Sequence, residues 1–394
     1  MDTIPFNVMM FAADICLVLV FGFWPHERSA PWSVAGLSLV GFLGLVAVVL
    51  FAWLFKANAG QCLAEGVLWH GGVFLTVASG ILFYRSRKFL ACIPLFSGAS
   101  LLLLGFDALV YEPYALELEH YTIRSPKIRA PMRIVFLADI QTDHIGRYEE
   151  DVFRAVMQQQ PDLILLGGDY LQLWEGVPPS AMTRLEERFR ELFQRVPLTA
   201  PCGVYAVGGN LDPLYDEETI RSLFTGSEVH IFRYSKTIEN LGEPGDPGGR
   251  MRGPVDLTLL SMEHSFGGYT GDFPRTGNFH IMLGHAPTFA MVESRRLKEA
   301  PDLLLAGHTH GGQIVLPGYG VLYYPRRNRE MQLPHDWLSG FHPIGTEADD
   351  KWLLVSRGSG MERGWAPRIR LFCRPEISVI DLLPPTVRHR VPDN

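Results

Sequence analysis

The chain has 394 residues, a formal net charge of −7 at pH 7 and five cysteines. This length allows more than one domain, and the acidic balance argues against a nucleic-acid partner, which would require a basic face. Nearly all the long apolar stretches lie before residue 112, whereas the remainder has the composition of an ordinary soluble domain. The sequence therefore predicts a membrane part followed by a soluble part.

Four apolar stretches in the first part are each long enough to cross a bilayer as a helix, which takes about 20 residues. Tryptophan and tyrosine residues near their ends match the aromatic belt of membrane helices. The basic connection Arg85–Lys88 predicts a cytoplasmic loop, because lysine and arginine are more frequent in cytoplasmic loops. The sequence therefore predicts a multi-pass cell-membrane protein with an extracytoplasmic soluble domain. Basic residues between Arg124 and Arg133, close to the last span, weaken this prediction of the orientation. The predicted spans are Phe6–Trp24, Trp32–Phe55, Leu63–Tyr84 and Phe89–Tyr111.

Ionisable side chains occur within or at the edges of these spans, at Asp14, Glu65, His70 and Asp107. Such groups are functional candidates, because a charge is costly in hydrocarbon. The sequence favours a structural interpretation for all four, in which the residues lie near the interface or find a hydrogen-bond partner inside the helix bundle.

Strands alternate with helices in the second part, which predicts an α/β domain with mixed sheets. The predicted division is a transmembrane domain at 1–112, a linker and first hairpin at 113–130, an α/β domain at 131–384 and a tail at 385–394. Amphipathic spacing predicts helices at Glu149–Gln160, Met182–Val196, Asp216–Phe224 and Phe289–Lys298. Apolar runs predict ten strands that begin near residues 133, 162, 203, 229, 257, 279, 302, 352, 369 and 377.

Side chains that bind metals close several of these apolar strands, and most of them stand next to a glycine. His308 and His310 are two positions apart, so on an extended backbone they point to the same side. Each residue alone has another interpretation, such as a helix cap, a turn residue or a core histidine, but six at strand ends indicate one site. The six are Asp139, Asp169, Asn210, His285, His308 and His310.

This mixture of carboxylate, amide and imidazole ligands suits a borderline metal such as Mn, Fe or Zn. Six ligands are too many for one catalytic metal with an open position. They suit two divalent ions that share a bridging carboxylate, an arrangement that activates water and stabilises an in-line displacement at phosphorus.

The order of these blocks resembles the calcineurin-like metallophosphoesterase superfamily, and the wider pattern resembles its membrane-anchored bacterial subgroup. The resemblance covers roughly residues 115 to 384. The blocks that carry it are Asp139-Ile140-Gln141, Gly168-Asp169, Gly209-Asn210-Leu211-Asp212, Gly284-His285, Gly307-His308-Thr309-His310-Gly311-Gly312-Gln313, Leu316-Pro317, Ser356-Arg357-Gly358 and Arg374-Pro375-Glu376-Ile377.

The resemblance implies a four-layer α-β-β-α sandwich, here preceded by a bundle of four transmembrane helices, with a dinuclear site. It implies that Asp169 bridges both ions. Asp139 and His310 would hold the first ion, and the second would be held by Asn210, His285 and His308.

The sequence departs from the family pattern at two positions. Gln141 stands where the family usually has a histidine ligand to the first metal, and its neutral amide oxygen is a weaker ligand. Leu211 stands where the family has the histidine that assists the phosphate or protonates the leaving group. Losing a general acid costs about 10²–10⁴-fold in rate, so substrates with good leaving groups should suffer least.

His144 and Asp143, in the loop after the first metal carboxylate, could replace the lost ligand or proton donor. The motivation for His144 is its position alone, and the sequence gives somewhat more weight to an exposed loop histidine. Asp212, from the asparagine motif, completes the set of catalytic candidates. Arg326, Arg327 and Arg329 could bind a second phosphate or an anionic head group, or could be solvated or membrane-surface charges. Whether Cys202 and Cys373 meet stays open.

The leading interpretation is a membrane-embedded dimetal phosphohydrolase that cleaves a phosphodiester, pyrophosphate or phosphomonoester bond by metal-activated water. Four spans exceed what tethering requires, which favours a lipid-linked or envelope substrate and contact with membrane lipids. One rival is a cytoplasm-facing nucleotide-sugar-lipid pyrophosphatase. The rival from another class is a non-catalytic metal-binding membrane sensor or scaffold, suggested by Leu211 and Gln141.

Overall fold

The chain divides into two compact units in a computed structural model. The helical unit comprises Met1–Glu112 and Glu362–Ile369, and the sheet unit comprises Pro113–Met361 and Arg370–Asn394. The sequence assigns Glu362–Ile369 to the α/β domain, so its membership of the helical unit is a new finding. The structure describes residues 4–23, 30–54, 58–173, 177–212, 221–242, 253–293, 301–322, 333–344, 351–362 and 366–386.

The first four helices are α1 (Ile4–Phe23), α2 (Ala30–Leu54), α3 (Ala59–Tyr84) and α4 (Lys88–Tyr114). Three of them, α1, α3 and α4, are long and apolar enough to cross a membrane. The apolar stretch recognised within α2 is shorter, Ser38–Ala52. Three of the four predicted spans are thus supported, and the span at α2 stays a prediction.

Helices α3 and α4 approach closely because glycines face each other. A β-carbon placed on Gly98 would lie only 2.8 Å from the carbonyl oxygen of Gly72, a contact typical of small-residue packing in membranes. Neither helix is a regular α-helix throughout. Gly66–Gly71 in α3 and Asp107–Tyr111 in α4 each form a π-helical turn.

The strands of the sheet unit form two six-stranded sheets and one small hairpin. In chain order they are β1 (Glu117–Arg124), β2 (Met132–Leu137), β3 (Leu163–Leu166), β4 (Val204–Ala206), β5 (Val229–Ile231), β6 (Lys236–Leu241), β7 (Val255–Leu259), β8 (Phe279–Leu283), β9 (Leu303–Ala306), β10 (Val315–Leu316), β11 (Gly320–Val321), β12 (Gly340–Pro343), β13 (Trp352–Val355) and β14 (Glu376–Leu383).

The first sheet has the order β1-β14-β2-β3-β4-β5. Strands β2 to β5 are parallel, and β14 is antiparallel to β2. The predicted hairpin at 113–130 is wrong: β1 pairs in parallel with β14, with Glu117 opposite Glu376. A strand from the end of the chain therefore lies between β1 and β2, which no local pattern indicates.

The second sheet has the order β12-β13-β9-β8-β7-β6, in which the four central strands are parallel. The predicted strand near residue 369 is not formed. Leu371 makes only an isolated bridge with Ile314, because the neighbouring Arg370 is buried among backbone carbonyls of a loop. No disulfide joins Cys202 to Cys373, and both are buried.

Side chains alternate between the two faces of each strand, so each sheet packs against helices on one face and against the other sheet on the other. The predicted four-layer α-β-β-α arrangement is confirmed. Val135 and Ile164 of the first sheet pack with helices α5 (Arg147–Gln158) and α6 (Pro179–Arg195). The alternate residues of the same strands, such as Phe136, pack between the two sheets.

The outer face of the second sheet is covered in the same way. Its side chains include Met282 and Leu304, which pack with Phe289 of α8 (Thr288–Glu293). The short helix α7 (Met262–Gly267) precedes it. The predicted helices Asp216–Phe224 and Phe289–Lys298 extend into residues outside the described ones.

His280 is buried on β8, where its Nε2 atom lies 2.8 Å from the Thr258 hydroxyl. Burial lowers the pKa of His280 to about 4, despite the nearby carboxylates of Asp256 and Asp302. The unfolded chain, with an ordinary histidine pKa of about 6.5, binds more protons below that pH, so stability falls as the pH decreases. Because of this group, lowering the pH from 7 to 5 should reduce the free energy of unfolding by about 2 kcal/mol.

We therefore expect His280→Gln, which retains a hydrogen-bonding group for Thr258, to show a shallower loss of stability from pH 7 to pH 5 than the wild type. Urea unfolding of the full chain in detergent, followed by tryptophan fluorescence, measures the difference. The exposed His230 offers a matched control, His230→Gln. Identical pH profiles for wild type and His280→Gln would contradict the assignment.

Candidate metal centre

The six predicted ligand residues all lie just beyond the carboxyl ends of strands from both sheets. Asp139, Asp169 and Asn210 follow β2, β3 and β4, whereas His285 follows β8 and the two histidines of the His308-Thr309-His310 motif follow β9. Ends of parallel strands are where open α/β sheets place their sites. The two sheets thus contribute oxygen ligands from one side and imidazoles from the other.

Unusual backbone geometry accompanies these side chains. Glycines permit the close approach: a β-carbon on Gly307 would lie 2.6 Å from an oxygen of Asp139, and one on Gly209 would overlap Asp169. Left-handed backbone at non-glycine residues is costly and concentrates at functional sites. Positive φ angles occur at Asp139 (48°), Gln141 (33°), Asp169 (52°), His308 (71°) and His310 (49°).

The closest cluster forms around the Nε2 atom of His285. This atom lies 3.0 Å from Asn210 Oδ1, 3.1 Å from His308 Nδ1 and 3.3 Å from Asp169 Oδ2. The ligand atoms of Asp169, His285 and His308 all lie within 4.8 Å of one another. The other ring nitrogen of His285 lies 2.9 Å from the carbonyl oxygen of Gly167, a bond that leaves Nε2 facing the cluster.

Burial and neighbouring charges shift the pKa values of the side chains in this cluster in different directions. Burial raises the pKa of Asp139 to about 8. Burial would lower the pKa of His285, but the carboxylates of Asp169 and Asp139 outweigh it and raise that pKa to about 9. Burial and the neighbouring His285 lower the pKa of His308 to about 3. A cation would satisfy the same carboxylates without a protonated imidazole, because metal ligands bind in their deprotonated forms.

Two buried atoms on the Asp139 side also fit a cation. Among the described residues, Asp139 Oδ1 and His310 Nδ1 are inaccessible to solvent and have no hydrogen-bond partner. A buried polar atom without a partner costs about 1–3 kcal/mol. The other oxygen of Asp139 accepts the backbone N–H of His308 at 2.8 Å, which orients the carboxylate. The donor set therefore fits a bound metal.

Gln141 is tied to the same group through backbone and side chain. Its N–H donates to the carbonyl oxygen of Asp169 at 2.9 Å, and its amide nitrogen donates to the side-chain oxygen of Gln172 at 2.9 Å. Gln172 thereby fixes which end of the Gln141 amide is the donor. The sequence offered no signal for Gln172.

Asp212 lies behind the centre rather than in it. Its two oxygens accept backbone N–H bonds from Asp169, Tyr170 and Gly209 at 2.8–2.9 Å. Burial and the charge of Asp169 raise the pKa of Asp212 to about 6. Both oxygens of Asp212 are thus bonded to backbone N–H groups of the loops after β3 and β4, and its predicted catalytic role stays a prediction.

The remaining sequence candidates stay predictions. His144 is exposed, and its ring has no hydrogen bond to the ligand residues within the part of the chain that the structure describes. Asp143 is half-buried beside it. Arg326, Arg327 and Arg329 lie outside the described residues.

Arg370 is a functional residue that the sequence did not reveal. Its fully buried guanidinium donates to four backbone carbonyls, including those of Gly358 and Gly360. The Gly360 N–H in turn donates to the carbonyl oxygen of Asp139 at 2.7 Å. Arg370 therefore fixes the loop that supports the Asp139 ligand. Ser265, whose hydroxyl accepts the His285 N–H at 3.0 Å, supports the opposite side.

Two packed sheets with imidazole, carboxylate and amide ligands at their shared edge define a metal-dependent hydrolase. Residues 132–312 match the family model described as calcineurin-like phosphoesterase. The chain therefore carries a calcineurin-like phosphoesterase domain at residues 132–312, as the resemblance implied, and is a metal-dependent hydrolase.

Individual proteins are similar over most of their own length. Phosphodiesterase YaeI of Escherichia coli (strain K12) is 28% identical over 299 residues, covering 71% of this chain and 93% of that protein. The uncharacterized metallophosphoesterase YkuE of Bacillus subtilis (strain 168) is 27% identical over 287 residues, covering 69% and 87%. An uncharacterized metallophosphoesterase of Aquifex aeolicus (strain VF5) is 24% identical over 280 residues, covering 69% and 93%.

Proposed function

We propose that this protein is a membrane-embedded phosphodiesterase that uses two divalent cations, Mn, Fe or Zn, to hydrolyse a lipid-linked or envelope phosphodiester. The observation that carries the proposal is the convergence of Asp169, Asn210, His285 and His308 on one point. In this proposal the first ion is held by Asp139, Gln141, Asp169 and His310, and the second by Asp169, Asn210, His285 and His308.

Each side chain has a distinct part in this reaction. When bound, the cations polarise phosphoryl oxygens and lower the pKa of water. Asp169 would be shared by the two cations, and its carboxylate is oriented by the Leu211 N–H, which donates to Oδ1 at 2.9 Å, while Oδ2 lies 3.3 Å from His285 Nε2. Asp212 and Arg370 hold the two carboxylate loops in place, so the ligands need little rearrangement.

A diester with an acidic leaving alcohol is the favoured substrate class, with pyrophosphate next and phosphomonoesters last. Leu211 begins directly beside Asp169 and cannot donate a proton, so the leaving group must depart with little assistance. The similarity to a protein named phosphodiesterase in Escherichia coli supports this choice.

The apolar helices support a substrate that is itself attached to the membrane. The basic loop Arg85–Lys88 supports a position of the sheet unit outside the cytoplasm. A reporter that matures only on one side of the membrane, fused after Asn394, tests the orientation. Activity of the cytoplasmic form of the reporter would favour the alternative, a nucleotide-sugar-lipid pyrophosphatase that faces the cytoplasm.

The purified full-length protein should hydrolyse a nitrophenyl phosphodiester with Mn²⁺. It should lose this activity on treatment with a chelator and regain it when the metal is restored. The proposal requires this cycle, because every proposed ligand serves a cation. Failure to hydrolyse diester, pyrophosphate and monoester substrates in the metal-loaded state would support a metal-binding sensor or scaffold.

A further inference from the structure

The helical unit contains a connected set of polar side chains between α1 and α3. His70 Nδ1 lies 2.6 Å from Asp14 Oδ2, and His70 Nε2 lies 2.9 Å from Asn7 Oδ1. The Asn7 amide nitrogen donates to Glu65 at 2.8 Å, and Gln61 donates to the other Glu65 oxygen at 2.6 Å. The sequence favoured separate structural roles for these ionisable residues, but the structure connects three of them.

A π-helical turn makes this arrangement geometrically possible. Glu65 and His70 are five positions apart, so on an α-helix, at 3.6 residues per turn, they would point in different directions. The π turn Gly66–Gly71 brings both onto the face that meets Asn7. Such turns are rare and frequently occur at functional sites.

A backbone donor sets the direction of the hydrogen bond between Gln61 and Glu65. The Arg368 N–H donates to Gln61 Oε1 at 2.6 Å, so the amide nitrogen of Gln61 must donate to Glu65. Glu65 then accepts from two amides, as a carboxylate does. Asn7 gives its NH₂ group to Glu65 and therefore presents its carbonyl to His70 Nε2, which must carry a proton.

The bond between His70 and Asp14 then needs a second proton. With Nε2 protonated, Nδ1 and a carboxylate oxygen at 2.6 Å would both be acceptors unless a proton lies between them. Turning Asn7 round would free Nε2, but its carbonyl would then face Glu65, which would itself have to be protonated. In either arrangement the network holds one proton more than it would with Asp14 and Glu65 as carboxylates and His70 as a neutral imidazole.

Among the described residues, the network is joined to one further charged residue, Arg368, through the backbone N–H that donates to Gln61. Helix α2 carries no ionisable group between Ala30 and Leu54. The α4 side chains beside the π turn include Leu101 and Leu102, and the buried Cys62 of α3 packs with apolar side chains. Losing the proton would leave two negative charges in an apolar unit, which is strongly unfavourable.

The polar side chains approach from one end of α3. With a rise of 1.5 Å per residue, His70 lies about 16 Å from the start of a helix about 39 Å long, whereas Gln61 is in its first turn. Asp14 and His70 lie on the wall of a cavity of about 120 Å³ that is otherwise lined mainly by aliphatic side chains. Further along, the buried apolar cluster of Phe21, Phe74, Leu82 and their neighbours follows.

We propose that Asp14 and His70 form a proton-binding site in the middle of the helical unit, connected by Asn7, Glu65 and Gln61 to one side of the membrane only. The helical unit thus binds a proton at a defined position in addition to anchoring the chain. This proposal is independent of the proposed phosphodiesterase activity.

The test uses the full-length protein in nanodiscs at pH 8, where ordinary carboxylates and histidines are deprotonated. Nitrogen NMR of labelled histidine detects an imidazolium, and infrared spectroscopy detects a protonated carboxylic acid. One of these two signals, equivalent to about one proton per chain, should be present in the wild type and absent in Asp14→Asn. Loss of the imidazolium signal in His70→Gln would assign it to this residue.

Asp107→Asn, which removes a half-buried carboxylate outside the network, should retain the signal. Asp14→Asn should keep turnover of a soluble nitrophenyl diester within about twofold, which shows that the sheet unit is intact. Absence of both signals from the wild type at pH 8 would overturn the proposal even if Asp14→Asn cannot be purified. A signal that persists unchanged in Asp14→Asn would overturn it as well.

Discussion

Asp169→Asn should abolish hydrolysis of a nitrophenyl phosphodiester and lower the metal content of the purified protein. The carboxylate contacts both sides of the centre, through the Leu211 N–H and His285. His285, by its charge and hydrogen bond, outweighs burial and lowers the pKa of Asp169. Asparagine retains the shape but removes the negative charge that two cations would share. Mutations of residues behind metal ligands cost about 10–100-fold, so loss of this ligand should cost more.

The matched control is Asp162→Asn, which makes the same change at the amino end of β3 instead of the carboxyl end. Asp162 accepts the Arg133 N–H at 2.8 Å, so the control affects packing but not the centre. Steady-state kinetics should show wild-type turnover in this control, and elemental analysis should show wild-type metal content. Equal turnover by Asp169→Asn and the wild type would rule out the proposed centre as the source of activity.

Leu211→His should accelerate hydrolysis of diesters with poor leaving groups. The side chain begins next to the bridging carboxylate, because the Leu211 N–H donates to Asp169 at 2.9 Å. An imidazole there would supply the proton that an alkoxide leaving group needs, an effect worth about 10²–10⁴-fold where proton transfer limits the rate. We expect a gain of about 100-fold for an alkyl ester and less than about 10-fold for a nitrophenyl ester.

Leu211→Gln separates proton transfer from polarity, because glutamine forms hydrogen bonds but does not titrate. Turnover of both esters by the three proteins, over a range of pH, gives the comparison. Equal gains in the histidine and glutamine variants would mean that polarity alone is responsible. No gain in either would indicate that another group, such as His144 or Asp143, already protonates the leaving group.

Several side chains that meet at the candidate centre are ones that sequence reasoning had grouped together, and metal binding by them stays a prediction. Asp139, Asp169 and His285 each close a strongly apolar strand, and strand carboxyl ends meet at the same edge of a parallel sheet. The spacing of His308 and His310 adds two imidazoles at the same edge. Strand direction groups Asp139 with Asp169 in the first sheet and His285 with the two later histidines in the second, and the packing of the two sheets joins the two groups.

The supporting residues could not be found in this way. Gln172 and Ser265 each act through one hydrogen bond to another loop, and Arg370 acts through several. Asp212 looked catalytic because of its motif, yet three backbone N–H bonds occupy its oxygens. Their roles depend on loop conformation, which local composition does not determine.

The sequence by itself determined the alternation of buried strands, the ligand types at their ends and the apolar helices, because these follow from residue periodicity and local chemistry. Tertiary structure alone decided that β14 separates β1 from β2. It also decided that a π turn in α3 brings Glu65 and His70 to Asn7 of α1, where His70 also meets Asp14. Pairing order and side-chain direction depend on which distant surfaces bury each other, a balance of packing energies that no single segment contains.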